Sequence, residues 1–186
     1  MTKILLLTIF LAVKSLYIPL NKRKSKYYWR LKIDDRIPFL PIFIIPYLGY
    51  FVWILVAIIY LWKTQYINKF FVLYIISYIL AGLFWYFFPN GVRRPIIKSK
   101  NIFSKITSFI YSIDDDTNGF PSAHIFGTLI CSYFLILAFS AYSLQIFTVG
   151  FVISISTLFT KQHYLIDILG GILIFVLSIM ISSILV

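Results

Sequence analysis

The chain is divided into apolar blocks long enough to cross a bilayer, and this limits the fold before any motif is read. The blocks are Ile4 to Leu20, Ile37 to Trp62, Phe70 to Phe88, a long stretch from Ser122 to Thr160, and His163 to Val186. A helix crosses hydrocarbon with roughly 20 residues, and inside lipid each backbone N–H and C=O must be satisfied within its own segment. The expected fold class is all-α: a polytopic membrane helical bundle of about six transmembrane helices, or five if the first block does not span. Ser122 to Thr160 has room for two short spans with a turn near Ser140 to Gln145. With 61% hydrophobic residues and a mean hydropathy of +0.93, the chain is too apolar for a soluble domain of 186 residues. One integral membrane domain over 1–186 is expected, with 1–36 a weak first span and basic loop and 37–186 the core.

Lys14 interrupts the first block close enough to its end to snorkel. Pro38, Pro41 and Pro46 crowd the start of the second block, so its regular helix is predicted to begin near Tyr47. Segment 89–121 is the longest polar stretch. Within it Phe103, Ile106, Phe109, Ile110 and Ile113 recur at helical spacing and predict a short interfacial helix. Asp114, Asp115 and Asp116 then read as a solvated turn, or as partners of Lys98, Lys100 or Lys105, and not as a metal site. Gly170 and Gly171 permit close helix packing in the last block.

The net charge of +11 comes from 17 basic residues against six acids, all aspartate. The basic residues flank the spans, so they fit orientation in the membrane and contact with anionic headgroups, not nucleic acid. Cys131 is the only cysteine, which excludes an intramolecular disulfide.

Two histidines stand in short polar islands, His124 in Pro121-Ser122-Ala123-His124 and His163 in His163-Tyr164-Leu165-Ile166-Asp167. Two crossings separate segment 89–121 from the turn around Lys161, so both islands lie on one membrane face and His124, His163, Arg94 and Lys161 can share a pocket. His163 and Asp167 are four residues apart at a helix start and therefore share a face. A carboxylate beside an imidazole fixes its tautomer and makes the other nitrogen a better nucleophile or base. An ionisable residue within the first turn of a span is a functional candidate, although a helix-start aspartate is also favoured by the dipole alone. Ser122 reads either as an ordinary N-cap or, with the backbone amides that follow it and the small Ala123, as an anion site. His124 reads as an interfacial polar residue or as a proton donor to a leaving oxygen. Arg93 suits a charged stop after a helix. Arg94, Lys161 and Gln162 are candidate phosphate donors.

Taken in order, Arg94-Pro95, Pro121-Ser122-Ala123-His124, Ser156 and His163-Tyr164-Leu165-Ile166-Asp167 resemble the type 2 phosphatidic acid phosphatase family, which shares a helical core with vanadium haloperoxidases. Asp34-Asp35-Arg36-Ile37-Pro38-Phe39 and Phe159-Thr160-Lys161-Gln162-His163-Tyr164 are similar to the branch with inositol phosphorylceramide synthases. The resemblance covers about Asp34 to Gly171. It implies a metal-independent and cofactor-free enzyme that hydrolyses a lipid phosphate or polyprenyl diphosphate drawn from the bilayer. In that scheme His163 attacks phosphorus, Asp167 orients it, His124 protonates the leaving group, and Arg94, Ser122 and Ala123 hold the phosphoryl oxygens. Two basic positions of the family are lost, at Phe87 and Thr157, and the usual glycine is Ala123. Lys161 is expected to supply one missing charge. Transfer of the phosphoryl-linked group to a polyol is the second expectation, and a lipid-binding protein without turnover is the third. Most basic residues lie on the face of the site and only Lys3, Lys63 and Lys69 on the other, which by the positive-inside rule points to the cytoplasm. The resemblance instead implies an extracytoplasmic or lumenal site.

Overall fold

In the computed structural model, which describes residues 2–185, the chain folds as a bundle of α-helices. They are α1 (Lys3–Ser15), α2 (Tyr17–Asn21), α3 (Ile44–Leu61), α4 (Ile67–Phe87), α5 (Ile102–Ile113), α6 (Ala123–Ala138), α7 (Ser143–Phe159) and α8 (Leu165–Leu185). Among the described residues no strand forms, and only isolated bridges join Tyr27 to Asn90 and Gly91 to Thr117. The break between α1 and α2 has a local cause. Pro19 has no N–H to give to the Ser15 carbonyl one turn back, and its ring crowds that carbonyl.

Five segments are long and apolar enough to cross a membrane: Lys3–Asn21, Pro41–Leu61, Ile67–Phe87, Ser140–Phe159 and Leu165–Ile184. They fit a multi-pass membrane protein. The expected sixth span, α6, is shorter at 16 residues, roughly 24 Å of helix against a hydrocarbon core of about 30 Å. Its position explains why. α6 packs against α3, α4, α7 and α8, so its surroundings are largely protein and its length need not match the lipid. The outer faces of its neighbours are apolar and exposed, as with Val52, Leu55 and Ile59 on α3 and Phe147 and Phe151 on α7. α3 begins at Ile44, not near Tyr47. Pro46 falls in its first turn, where the missing N–H would have no intrahelical partner anyway.

The core is aromatic. Phe70, Phe71 and Tyr74 of α4 are fully buried with Phe10 of α1 against them. The Tyr74 hydroxyl donates to the Gly127 carbonyl of α6 at 2.8 Å, and Ser77 of α4 bonds Ser178 of α8 at 2.8 Å. Gly171 brings α8 against the start of α6: a Cβ there would stand 2.6 Å from Ile125 Cβ and 2.9 Å from the Ser122 carbonyl.

The interfacial helix expected in the polar segment is present as α5, capped by the Asn101 side chain on the Ser104 amide at 2.8 Å. Ser104 and Thr107 are buried and Phe103, Ile106 and Ile110 half-buried, whereas Ile102, Phe109 and Ile113 are exposed. Small polar side chains let it lie against α3 and the Pro41–Phe43 turn, and Ile110 and Ile113 line the cavity described below. The following aspartates do not form a solvated turn, and they do not pair with Lys98, Lys100 or Lys105. Asp114 meets Arg94, Asp115 pairs with Lys22 at 3.2 Å, and Asp116 accepts from Ser25 and Tyr28 at 3.0 Å each. The cause is Asn21, whose side chain bonds the backbone of Asp115 and Thr117 and draws this loop onto the end of α2.

Substitution Gly171→Ala should lower stability by about 1–3 kcal/mol, because the added methyl meets the Ser122 backbone and α8 must move off α6. Gly49→Ala, where a Cβ would have no neighbour within 4 Å, should be neutral or stabilise by up to about 1 kcal/mol. Thermal unfolding of the two variants in uncharged detergent checks the contrast.

Candidate active site

The two helix entrances that carry histidine are joined by backbone. The Ser122 N–H donates to the Asp167 carbonyl at 3.1 Å. Ser122 is the N-cap of α6, fully buried, and its hydroxyl accepts from the Ile125 amide at 3.4 Å. Its side chain is thus spent on the helix and is absent from the cavity wall described below. The amides of Ala123 and His124 stand at the first helical positions, with no carbonyl one turn back to receive them.

His163 is delivered by a tight closure of α7. Lys161 takes φ 52, the Lys161 amide bonds the Leu158 carbonyl at 3.1 Å, and the Gln162 amide bonds the Thr157 carbonyl at 3.0 Å. This is a Schellman ending with lysine where glycine is usual. α8 then starts at once. Asp167 Oδ2 accepts from the Tyr164 amide at 2.8 Å and lies 3.4 Å from His163 Nδ1. A carboxylate only accepts, so a hydrogen bond between them is one that Nδ1–H donates, which leaves the Nε2 lone pair free. Both readings of Asp167 hold at once: it caps the helix start and it faces the imidazole. Asp167 is fully buried. Gly119 makes room for it, since a Cβ there would approach Oδ2 to 3.2 Å.

The rings of His124 and His163 have centroids 5.9 Å apart. His124 is packed among side chains of α3, stacked on Tyr47 at 4.3 Å and 21° and lying 4.3 Å from Tyr50. The rings face a cavity of about 510 Å³ whose wall combines the ends of α1 and α2, α3, loop 114–119, the start of α6 and the turn at Gln162 and His163. The wall is mostly apolar, with Leu11, Ile18, Leu48, Phe51, Ile110 and Ile113 among its residues. A pocket of this volume holds a small ligand or the head of a larger one.

Arg94 reaches the cavity but is largely committed to the protein. Its guanidinium donates to Gln162 Oε1 at 2.6 Å, the Asp115 carbonyl at 2.9 Å, Asp114 Oδ2 at 3.3 Å and the Asp114 carbonyl. It also lies over the Tyr111 ring at 4.6 Å. Burial raises the Asp114 carboxyl above its ordinary pKa, against the opposing pull of Arg94. Three buried nitrogens at the cavity keep no partner among the described residues: Arg94 Nε, Gln162 Nε2 and His124 Nε2. Unsatisfied buried nitrogens of this kind are rare in folded proteins, and all three belong to residues that line the cavity.

Lys161 is placed elsewhere. Its ammonium donates to the carbonyls of Asp34 at 2.9 Å and Ile37, outside the cavity wall. Burial lowers its pKa from the ordinary value and Asp34 offsets this in part. Its neighbour in this clamp, Asp34, is buried and went unread as a site residue. Asp34 Oδ1 accepts from the Leu165 amide at 2.9 Å and Oδ2 from the Leu31 amide at 2.7 Å, so it fastens loop 31–37 to the entrance of α8. No local pattern distinguishes this aspartate from its neighbour Asp35. Lys14, read only as a snorkelling residue, is part of the cavity wall. The visible signal was a lone cation inside an apolar block.

Because Lys161 occupies the left-handed region, Lys161→Gly should be more stable than Lys161→Ala by about 1 kcal/mol, with both below the parent for loss of the carbonyl anchors. Unfolding midpoints of the three proteins test this ordering. Compared with models of protein families, with curated proteins and with solved structures, the chain has no match.

Proposed function

We propose that the chain is an integral membrane phosphatase with a helical core of the type 2 phosphatidic acid phosphatase kind, acting on a lipid phosphate or polyprenyl diphosphate through a phosphohistidine. The observation that carries this reading is the 5.9 Å approach of the two imidazoles across one cavity, with Asp167 behind only one of them. That asymmetry supports a division of roles. His163 keeps its proton on Nδ1 and attacks phosphorus through Nε2. Asp167 stabilises the positive charge that develops on the ring. The P–O bond to the leaving group breaks, and His124 gives that oxygen its proton. Water then attacks the phosphohistidine, His124 takes the proton from the water, and inorganic phosphate leaves with both imidazoles restored. The Arg94 Nε, the Gln162 amide and the first amides of α6 are directed donors for the phosphoryl oxygens. Ser122 acts in this scheme as the residue that holds the α6 entrance. Lys161 acts as an anchor of the α8 entrance. The apolar wall suits the carbon chain of a lipid entering between α1 and α3.

A second reading, a lipid-phosphate binder without turnover, is favoured by the commitment of Arg94 to Asp114 and Gln162. Phosphate release from a panel of lipid phosphates separates the two. The phosphatase reading expects release that vanadate inhibits and that His163→Ala abolishes. His124→Ala should lower turnover by roughly 10²–10⁴-fold, the usual worth of a general acid. Asp167→Asn should leave the helix capped while slowing formation of the phosphoenzyme. Phosphate release unaffected by His163→Ala, or none from any lipid, overturns this reading. Addition of a polyol distinguishes hydrolysis from transfer by the product formed.

A further inference from the structure

Only two cationic side chains stand in the cavity wall, Arg94 and Lys14. Five protein acceptors surround the Arg94 guanidinium. Lys14 has neither hydrogen bond nor ion pair to any described residue, and its ammonium has only two ring faces nearby, Phe10 at 5.8 Å and Phe51 at 5.7 Å. Those distances lie at the outer limit of a cation–π contact. Phe51 is also set edge-on against His124, with ring centroids 5.9 Å apart, so one aromatic ring separates the ammonium from the proposed proton donor. Lys14 rises from an apolar helix, and its neighbours one turn away, Leu11 on α1 and Ile18 on α2, are exposed and apolar. A charge held there without a partner is costly, and a cavity filled by an anion removes that cost.

We infer that Lys14, supplied by the first helix, is the binding cation of this cavity and pairs with a phosphoryl oxygen of the ligand beside His124. The inference rests on the reading of the site as one for phosphate. It gives the first helix a direct part in binding. The ammonium brings mobile charge that Arg94, fixed by Asp114 and Gln162, does not.

The test uses the full chain in uncharged detergent with two probes, orthovanadate and a long-chain lipid phosphate, and a water-soluble phosphomonoester as third arm. Loss of one charge-assisted contact predicts that Lys14→Met weakens vanadate binding and raises KM on both phosphate substrates by roughly tenfold or more, with kcat changed less. Lys14→Arg should recover most of the affinity and guard against a folding defect in the methionine variant. Lys3→Met serves as control, because Lys3 donates to the Trp62 carbonyl outside the cavity wall. Vanadate affinity and KM within twofold of the parent in Lys14→Met overturn the inference while leaving the phosphatase reading in place. An effect confined to the lipid substrate also overturns it, since Lys14 would then act on the bilayer surface and not on the phosphoryl group. If the parent releases no phosphate yet binds vanadate, and Lys14→Met loses that binding, the phosphatase reading falls and the anion site at Lys14 stands.

Discussion

A single backbone bond, from the Ser122 amide to the Asp167 carbonyl at 3.1 Å, joins the entrances of α6 and α8, and the geometry of the site follows from it. Helix entrances are the parts of a membrane bundle richest in unsatisfied donors. Bringing two together concentrates those donors at one place and sets the imidazoles of His124 and His163 5.9 Å apart, tilted by 59° to each other. The small side of α8 at Gly171 makes the approach sterically possible. Asp167 then serves three groups within one turn: its carbonyl receives Ser122, and its carboxylate faces both the Tyr164 amide and His163.

Around this junction the charged side chains are used mainly as fasteners. Asp34 and Lys161 tie loop 31–37 to the α7–α8 turn. Asp114 and Gln162 hold Arg94, and Asn21 pulls the aspartate loop onto α2. In a protein whose outer surface is apolar, polar groups that fail to find partners inside are expensive. Several of the buried polar atoms that remain unpaired among the described residues, at Tyr50, Arg94, Asn118, His124 and Gln162, belong to residues that line the cavity. The same economy distinguishes Lys14 from Lys161: two lysines on the site's side of the molecule, one bonded to carbonyls and one not.

The legible parts of the chain were those governed by local rules. Length and hydropathy marked the long spans, while the break at Pro19 went unread and the prolines at 38, 41 and 46 placed the start of α3 three residues too late. The 3.6-residue recurrence of Phe103 to Ile113 marked α5 without showing which face turns inward, because an interfacial helix and a core-facing helix share one pattern. Ser122 as cap and Asp167 as helix-start acid were visible too. The short length of α6 was not legible because hydropathy measures affinity for apolar surroundings and does not distinguish lipid from protein. α6 is apolar because its neighbours are helices. Asp34 was missed for the opposite reason: its partner, the Leu165 amide, is far away in sequence, and no window of sequence contains both.

By itself the sequence determined that this is a helical bundle with spans that fit a multi-pass membrane protein, that two histidine islands stand at helix entrances of one cavity, and that His163 and Asp167 share a turn. Those are consequences of spacing along one segment and of counting crossings, which need no knowledge of how segments pack. Tertiary structure alone decided which cations reach the cavity. Long flexible side chains such as Lys14, Arg94 and Lys161 can each swing through several ångströms, so whether they meet a ligand or a carbonyl depends on what the neighbouring helices place within reach.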